Sequence, residues 1–279
     1  MDTLTILEFL AAPIVASLII AGIHAYLGLH VVERGVIFVD LSLAQIASLG
    51  ATIAAIVPAL GGEPHGSGVY WMSLLFTLVG ALIFSFVKSQ RAKIPQEAII
   101  GISYAVASAA VVVVMSKAPG EAEHLRDMLV GNILSVQWDE VKLTGAVYAV
   151  IGLFHYVFRK RFLEISMDPD GAQARGVKVR LWDFLFYASF GLVVTRSVAI
   201  AGVLLVFCYL IVPSVAGMLF ASRIGSRLAI GWTMAAVVSM LGMYLSVVFD
   251  LPTGATIVCT FGLILTLMAT VRQLAVRRN

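Results

Sequence analysis

The sequence predicts an all-α fold: a polytopic bundle of membrane-spanning helices with nine spans, or eight if one short break is re-entrant. Three observations predict it. First, of 279 residues 60% are hydrophobic and 13% charged, with mean hydropathy +0.98, whereas a soluble domain spends about a quarter of its residues on charge. Second, apolar runs long enough to cross a bilayer as helices, roughly 20 residues each, follow one another along the chain and leave no room for a separate soluble domain. Third, the basic residues concentrate in every second gap between the runs: Arg34, then Lys88, Arg91 and Lys93, then Arg159 through Arg180, then Arg223 and Arg227, then Arg272 through Arg278. The positive-inside bias then sets the N-terminus outside and the C-terminus in the cytoplasm.

The runs occupy about 6–28, 36–60, 69–87, 97–116, 141–158, 181–198, 200–221, 229–249 and 254–271. Residues 1–279 therefore read as one transmembrane domain with a cytoplasmic loop at 159–180. The first run has no basic leader and exceeds a signal-peptide core, which predicts a retained helix. The polar step at 196–202 is where nine spans become eight. Cys208 and Cys259 lie in apolar runs and are expected to be small buried hydrophobes. No P-loop, zinc-finger spacing or nucleic-acid module is present. The chain offers no covalent chemistry, so it is not expected to be an enzyme, and any energy source must sit on a partner chain.

Within the second run, Ser42, Ala44, Ala47, Ser48, Gly50, Ala51, Ala54 and Ala55 are small. Small residues let helix backbones approach closely in lipid, so this helix belongs inside the bundle. Asp40 then lies about one turn from its cytoplasmic end and Gln45 nearer the middle. His24 sits a similar distance from the cytoplasmic end of the first run, which places His24 and Asp40 at one depth. Ionisable groups inside a membrane face a partner, a cavity or a substrate route. His24 is either a helix-packing hydrogen-bond donor or a cation ligand. Asp40 is either a buried hydrogen-bonding group or a pathway residue, and Gln45 either an interhelical amide or a pathway lining.

Glu97 opens the fourth run after "KIPQE", where the positive end of a helix dipole suits a carboxylate and Pro95 suits a helix start; it is either that helix-start acid or, with Asp40, His24 and Gln45, a metal-pathway residue. His155, beside Arg159 and Lys160, reads as interfacial. Asp183 begins a span next to Trp182, an interface anchor. On the outer side, Glu63, His65, Glu121, Glu123 and His124 supply oxygen and nitrogen ligands at the mouth where a cation arrives, or form an ordinary solvated surface.

The largest cytoplasmic gap contains "EISMDPDGAQARGVKVR". Asp168 suits an N-cap, Pro169 the first helical position and Gly176 the position just past the end. The two turns between them are too short to stand alone in water, so the bundle or a docked partner must hold them.

"DPDGAQARGV" resembles the coupling-helix segment of importer permeases in ATP-binding-cassette transporters. "GVLLVFCYLIVPSVAGMLFA" (202–221), "DLPTGATIV" (250–258), "QEAIIGISYAVASA" (96–109) and "MLVGNILSV" (128–136) resemble stretches of the permease family that imports zinc, manganese or iron, over about residues 5–272. The resemblance implies a homodimeric pore in a bacterial cell membrane, two cytoplasmic ATPase subunits that hold the ATP, and an extracytoplasmic metal-binding protein. It also implies an ATPase-coupling segment at Asp168, Pro169, Ala172, Ala174 and Gly176. No cofactor is expected in the chain itself; the metal is cargo. One departure stands out. The family carries Asp and His four residues apart in the second helix, whereas here Gln45 takes the His position, five residues from Asp40. At about 100° per residue, five steps separate the two by about 140°, so one helix does not present both to a single ion. Two other function classes remain beside the importer: a proton-coupled secondary transporter using Asp40, Glu97 and His24, and a non-transporting membrane scaffold.

Overall fold

Amphipathic and wholly apolar runs bounded by Gly, Pro and charge become eleven α-helices among the described residues of the computed structural model, which are 3–57, 67–87, 94–116 and 133–278. They are α1 (Thr3–Arg34), α2 (Val39–Ile56), α3 (Ser67–Val87), α4 (Gln96–Met115), α5 (Trp138–Val157), α6 (Arg159–Met167), α7 (Pro169–Ala174), α8 (Val179–Ala201), α9 (Val203–Phe220), α10 (Ile224–Phe249) and α11 (Thr253–Arg278), with a 3-10 turn at Ile133–Ser135. No strand occurs among the described residues.

Each of the nine apolar runs contains a helix among the described residues. Eight helices, α1 to α4 and α8 to α11, are long and apolar enough to cross a membrane. The expected fifth span, α5, qualifies only when counted with α6, from which a break at Phe158 separates it. The reason is its charged start at Asp139, Glu140 and Lys142. The step at 196–202 is not a loop: Arg196 and Ser197 continue α8, and the chain breaks only at Gly202, whose φ of 77° an L side chain rarely adopts.

The chain forms two compact units. The first comprises 1–32, 127–154 and 199–279 and is organised around α9, α10 and α11, which pack on one another. Small residues set the spacing there. A Cβ on Gly242 of α10 would lie 2.8 Å from Ile257 Cα of α11, and one on Gly231 would lie 3.0 Å from the Pro213 carbonyl of α9. Tyr209 and Phe261 meet edge to face at 5.6 Å, and the buried Tyr209 hydroxyl and Ser239 Oγ are hydrogen-bonded at 3.0 Å. Trp232 Nε1 donates to the Gly22 carbonyl of α1 at 2.9 Å.

The second unit comprises 33–126 and 155–198. Here α2 packs against both α3 and α4, as its small-residue face predicts. A Cβ on Gly50 would lie 2.6 Å from the Met72 carbonyl and 2.8 Å from Phe76. An aromatic group of Phe162, Trp182, Phe186, Tyr187 and Phe190 joins α6 to α8. Outward positions such as Val106, Val113 and Leu263 stay exposed, which suits hydrocarbon but not water. Cys259 is among the exposed positions and Cys208 is half-buried. This corrects the expectation that both are core residues, because a lipid-facing site accepts a thiol as readily as a core does.

Candidate functional site

Asp40 is the second residue of α2 and is 2% exposed. The helix therefore begins at the carboxylate, not a turn before it. Its Oδ1 is buried and has no hydrogen-bond partner among the described residues. Glu97 occupies the matching place in α4, second residue after the Pro95 N-cap. Its Oε1 accepts a hydrogen bond from the Phe38 backbone N–H at 3.0 Å, while its Oε2 is buried without a hydrogen-bond partner among the described residues. Glu97 thus supplies the α2 N-terminus with a cap from another helix, where Phe38 itself supplies none. Two helix N-termini favour negative charge, and each acid offers one unused oxygen. Such a pair can receive a cation or a proton.

Gln45 is buried on α2, 7% exposed, and its five-residue offset from Asp40 holds in a continuous helix. His24 belongs to the first unit and is fully buried. Its Nδ1 lies 2.8 Å from the Ile20 carbonyl, which accepts only if Nδ1 carries the proton. Nε2 then holds the lone pair, and it is buried without a hydrogen-bond partner among the described residues. A ring oriented by one nitrogen with the other bare is the state in which imidazole serves as a metal ligand. The equal distance of His24 and Asp40 from their helix ends is not observed. α1 continues to Arg34, so His24 lies about 15 Å of helix from that end at 1.5 Å per residue. Among the described residues no three His, Cys, Asp or Glu side chains gather in a way that would hold a metal ion. Glu63, His65, Glu121, Glu123 and His124 lie outside the described residues.

Two residues read as interfacial are buried instead. His155 is 1% exposed, stacked on Phe162 at 4.4 Å, with Nε2 2.8 Å from Ser189 Oγ. Asp183 is 1% exposed and pairs with Arg34, whose Nε also donates to Ser166 Oγ at 2.9 Å. Nearby, Gln96 Nε2 donates to the Tyr187 hydroxyl at 3.1 Å and to the Phe84 carbonyl at 3.0 Å. Sequence reasoning missed this cluster because its members lie 132 and 149 residues apart, and each sits at a run boundary where an interface is the ordinary explanation.

The short helix in the basic loop is Pro169–Ala174. Asp168 Oδ1 accepts from the Gly171 N–H at 2.9 Å, and Gly176 closes the turn at φ 80°. Ala172 is fully buried, while Ala174 faces out. Arg175 Nε donates to Glu164 Oε1 at 2.8 Å, tying α7 back to α6. That bond holds the Glu164 carboxyl below the usual carboxylate range and raises Arg175.

The sequence profile described as the ABC 3 transport family matches residues 6–272. The chain is 24% identical over 257 residues to the manganese transport system membrane protein MntC of Halalkalibacterium halodurans, covering 92% of this chain and 85% of the relative. It is 27% identical over 253 residues to a protein of Haemophilus influenzae named "Probable iron transport system membrane protein", covering 90% and 89%. Among solved structures, the fold matches PsaBC from Streptococcus pneumoniae in complex with Fab, with TM-score 0.77, 23% identity, and coverage of 93% of this chain and 90% of that one.

Proposed function

Because the chain belongs to the ABC 3 transport family, and is thus a multi-pass membrane permease rather than an ATPase, we propose that it moves manganese or iron(II) into the bacterial cytoplasm. The family match over nearly the whole length carries this reading. Manganese and iron transport are named for its relatives. The candidate ligands of the second unit, two carboxylates without a thiolate, suit those metals over softer ones. In this reading a second copy completes the pore, a cytoplasmic ATPase docks on the 168–176 segment, and an extracytoplasmic binding protein delivers the ion. The N-terminus lies outside and the C-terminus inside.

Asp40 and Glu97 form the inner station of the route. Each contributes one bare oxygen at a helix N-terminus, so the station holds a divalent ion with two protein ligands and leaves its remaining positions to water. Such a site releases its cargo readily; high affinity belongs to the binding protein.

The test is ATP-driven uptake in proteoliposomes containing the chain, its ATPase and its binding protein, offered manganese, iron(II), zinc, cobalt and nickel. The expected result is uptake led by manganese or iron(II), reduced by Asp40→Asn and by Glu97→Gln. ATP hydrolysis with no metal movement would overturn the reading. Uptake unchanged in both variants would return the two acids to structural roles.

A further inference from the structure

The second unit holds a buried cation that the transport route does not use. Arg34 closes α1, and its side chain and that of Asp183 are each 1% exposed. Nη1 donates to Asp183 Oδ1 on α8, Nε donates to Ser166 Oγ on α6, and the guanidinium carbon stands 4.1 Å above the Phe186 ring. A planar fork fixes its two acceptors relative to each other, which an ammonium does not do.

Where these contacts fall along the chain is informative. Ser166 lies two residues before Asp168, the cap of α7. On the other side, Arg34 is followed by Gly35 at φ 66°, by Phe38, whose N–H reaches Glu97, and by Asp40. One guanidinium therefore joins the base of the short cytoplasmic helix to the connection that begins α2. A buried ion pair adds little net stability, since desolvating two charges offsets their attraction, so stability alone is a poor reason for this one. Its Nη2 is buried without a geometric hydrogen bond among the described residues, and the guanidinium also faces Tyr187, 5.9 Å from its ring. Elements with two discrete arrangements are what transmit coupling through a protein.

From this geometry we infer that Arg34 is a positioning residue that carries displacement of the α6–α7 segment to the start of α2, and so links ATPase movement to the Asp40 station. The inference rests on the importer reading above.

The experiment uses the full complex in proteoliposomes and measures metal uptake and ATP hydrolysis together for wild type, Arg34→Lys, Arg34→Gln and Ser166→Ala. Ser166→Ala leaves the ion pair intact and guards against a folding failure in Arg34→Gln. The expected result is ATP hydrolysis close to wild type with uptake per ATP reduced about ten-fold, within the range of ordinary coupling effects. Arg34→Lys, which keeps the charge without the fork, should recover only part of the loss. Uptake and hydrolysis falling in proportion, or both unchanged in Ser166→Ala, would overturn the inference. A second readout separates it from the cargo assignment. With Cys208 and Cys259 replaced by Ser, Ile37→Cys places a thiol on the α1–α2 connection at a site 38% exposed. Its labelling rate should change on ATP binding in the wild-type background and stay constant with Ser166→Ala. That outcome supports the link even if the complex moves none of the metals offered, and equal responses in the two backgrounds would overturn it.

Discussion

Replacing Gly242 by Ala should destabilise the first unit, while the same replacement at Gly262 should not. Both glycines lie inside long helices, α10 and α11. A Cβ at 242 would meet Ile257 Cα at 2.8 Å, Cγ1 at 2.9 Å and Cβ at 3.2 Å, whereas at 262 nothing lies within 4 Å. The near atom at 257 is backbone, so relief requires the two helices to separate. Overpacking of this kind costs about 1–3 kcal/mol. Glycine to alanine in a helix gains about 1 kcal/mol at both sites, so that gain cancels in the comparison. The expected difference between the two variants is therefore the packing cost itself.

At about 2–4 °C per kcal/mol for a chain of this size class, the variants should separate by several degrees in thermal unfolding of the purified protein in detergent. Gly262→Ala should melt at or slightly above wild type, and Gly242→Ala below it. Two variants melting together would refute the reasoning, because helix propensity alone predicts equality. A loss at Gly262 with none at Gly242 would show that the α10–α11 crossing is not the close contact described.

Other outcomes follow from local geometry. Asp168→Ala removes the only side-chain cap of a six-residue helix, costing about 1 kcal/mol, and should raise hydrogen exchange in 169–175 without changing exchange in α2. Because the Arg175 bond holds Glu164 below the usual carboxylate range, its tie between α6 and α7 is fully present above the unfolded value of about 4.3 and is lost as pH falls further. Spin labels at 160 and 173 should keep a narrow distance distribution at and above the ordinary carboxylate range and broaden only as pH falls below it, through the lowered Glu164 titration. Tyr209→Phe leaves Ser239 still bonded to the Ala235 carbonyl, so it should cost no more than about 1 kcal/mol by chemical unfolding.

Much of this fold was legible because lipid leaves few options. Long apolar runs must be helices, and runs of small residues must face other helices, as α2 does. The α7 cap was legible because Asp-Pro and Gly act within one turn. The fate of α5 was harder to read, since Asp139, Glu140 and Lys142 spoil its hydropathy without spoiling its helix. Asp40 and Glu97 were visible as carboxylates in apolar runs, but no pattern revealed that Glu97 would cap the other helix at Phe38. Arg34 was read as a basic residue of a cytoplasmic gap, and Asp183 as interfacial because Trp182 precedes it. Their burial depends on pairing across 149 residues, which periodicity cannot register.

The altered second-helix motif then has a physical consequence for the proposed route. With Gln45 about 140° from Asp40 around α2, the two cannot chelate one ion, and an amide is a weaker ligand than imidazole for a transition metal. In the proposed route a second ligand at the Asp40 level would come from another helix, and Glu97, whose Oε1 accepts from Phe38 N–H, is the acid proposed for it. A site built from one helix keeps its geometry when helices move, whereas a site split between α2 and α4 comes apart when they shift. Metal held at such a station is released by the motion that opens it, so binding strength and helix position are one variable. Arg34, bonded to the segment behind α7 and six residues before Asp40, stands where that variable can be set.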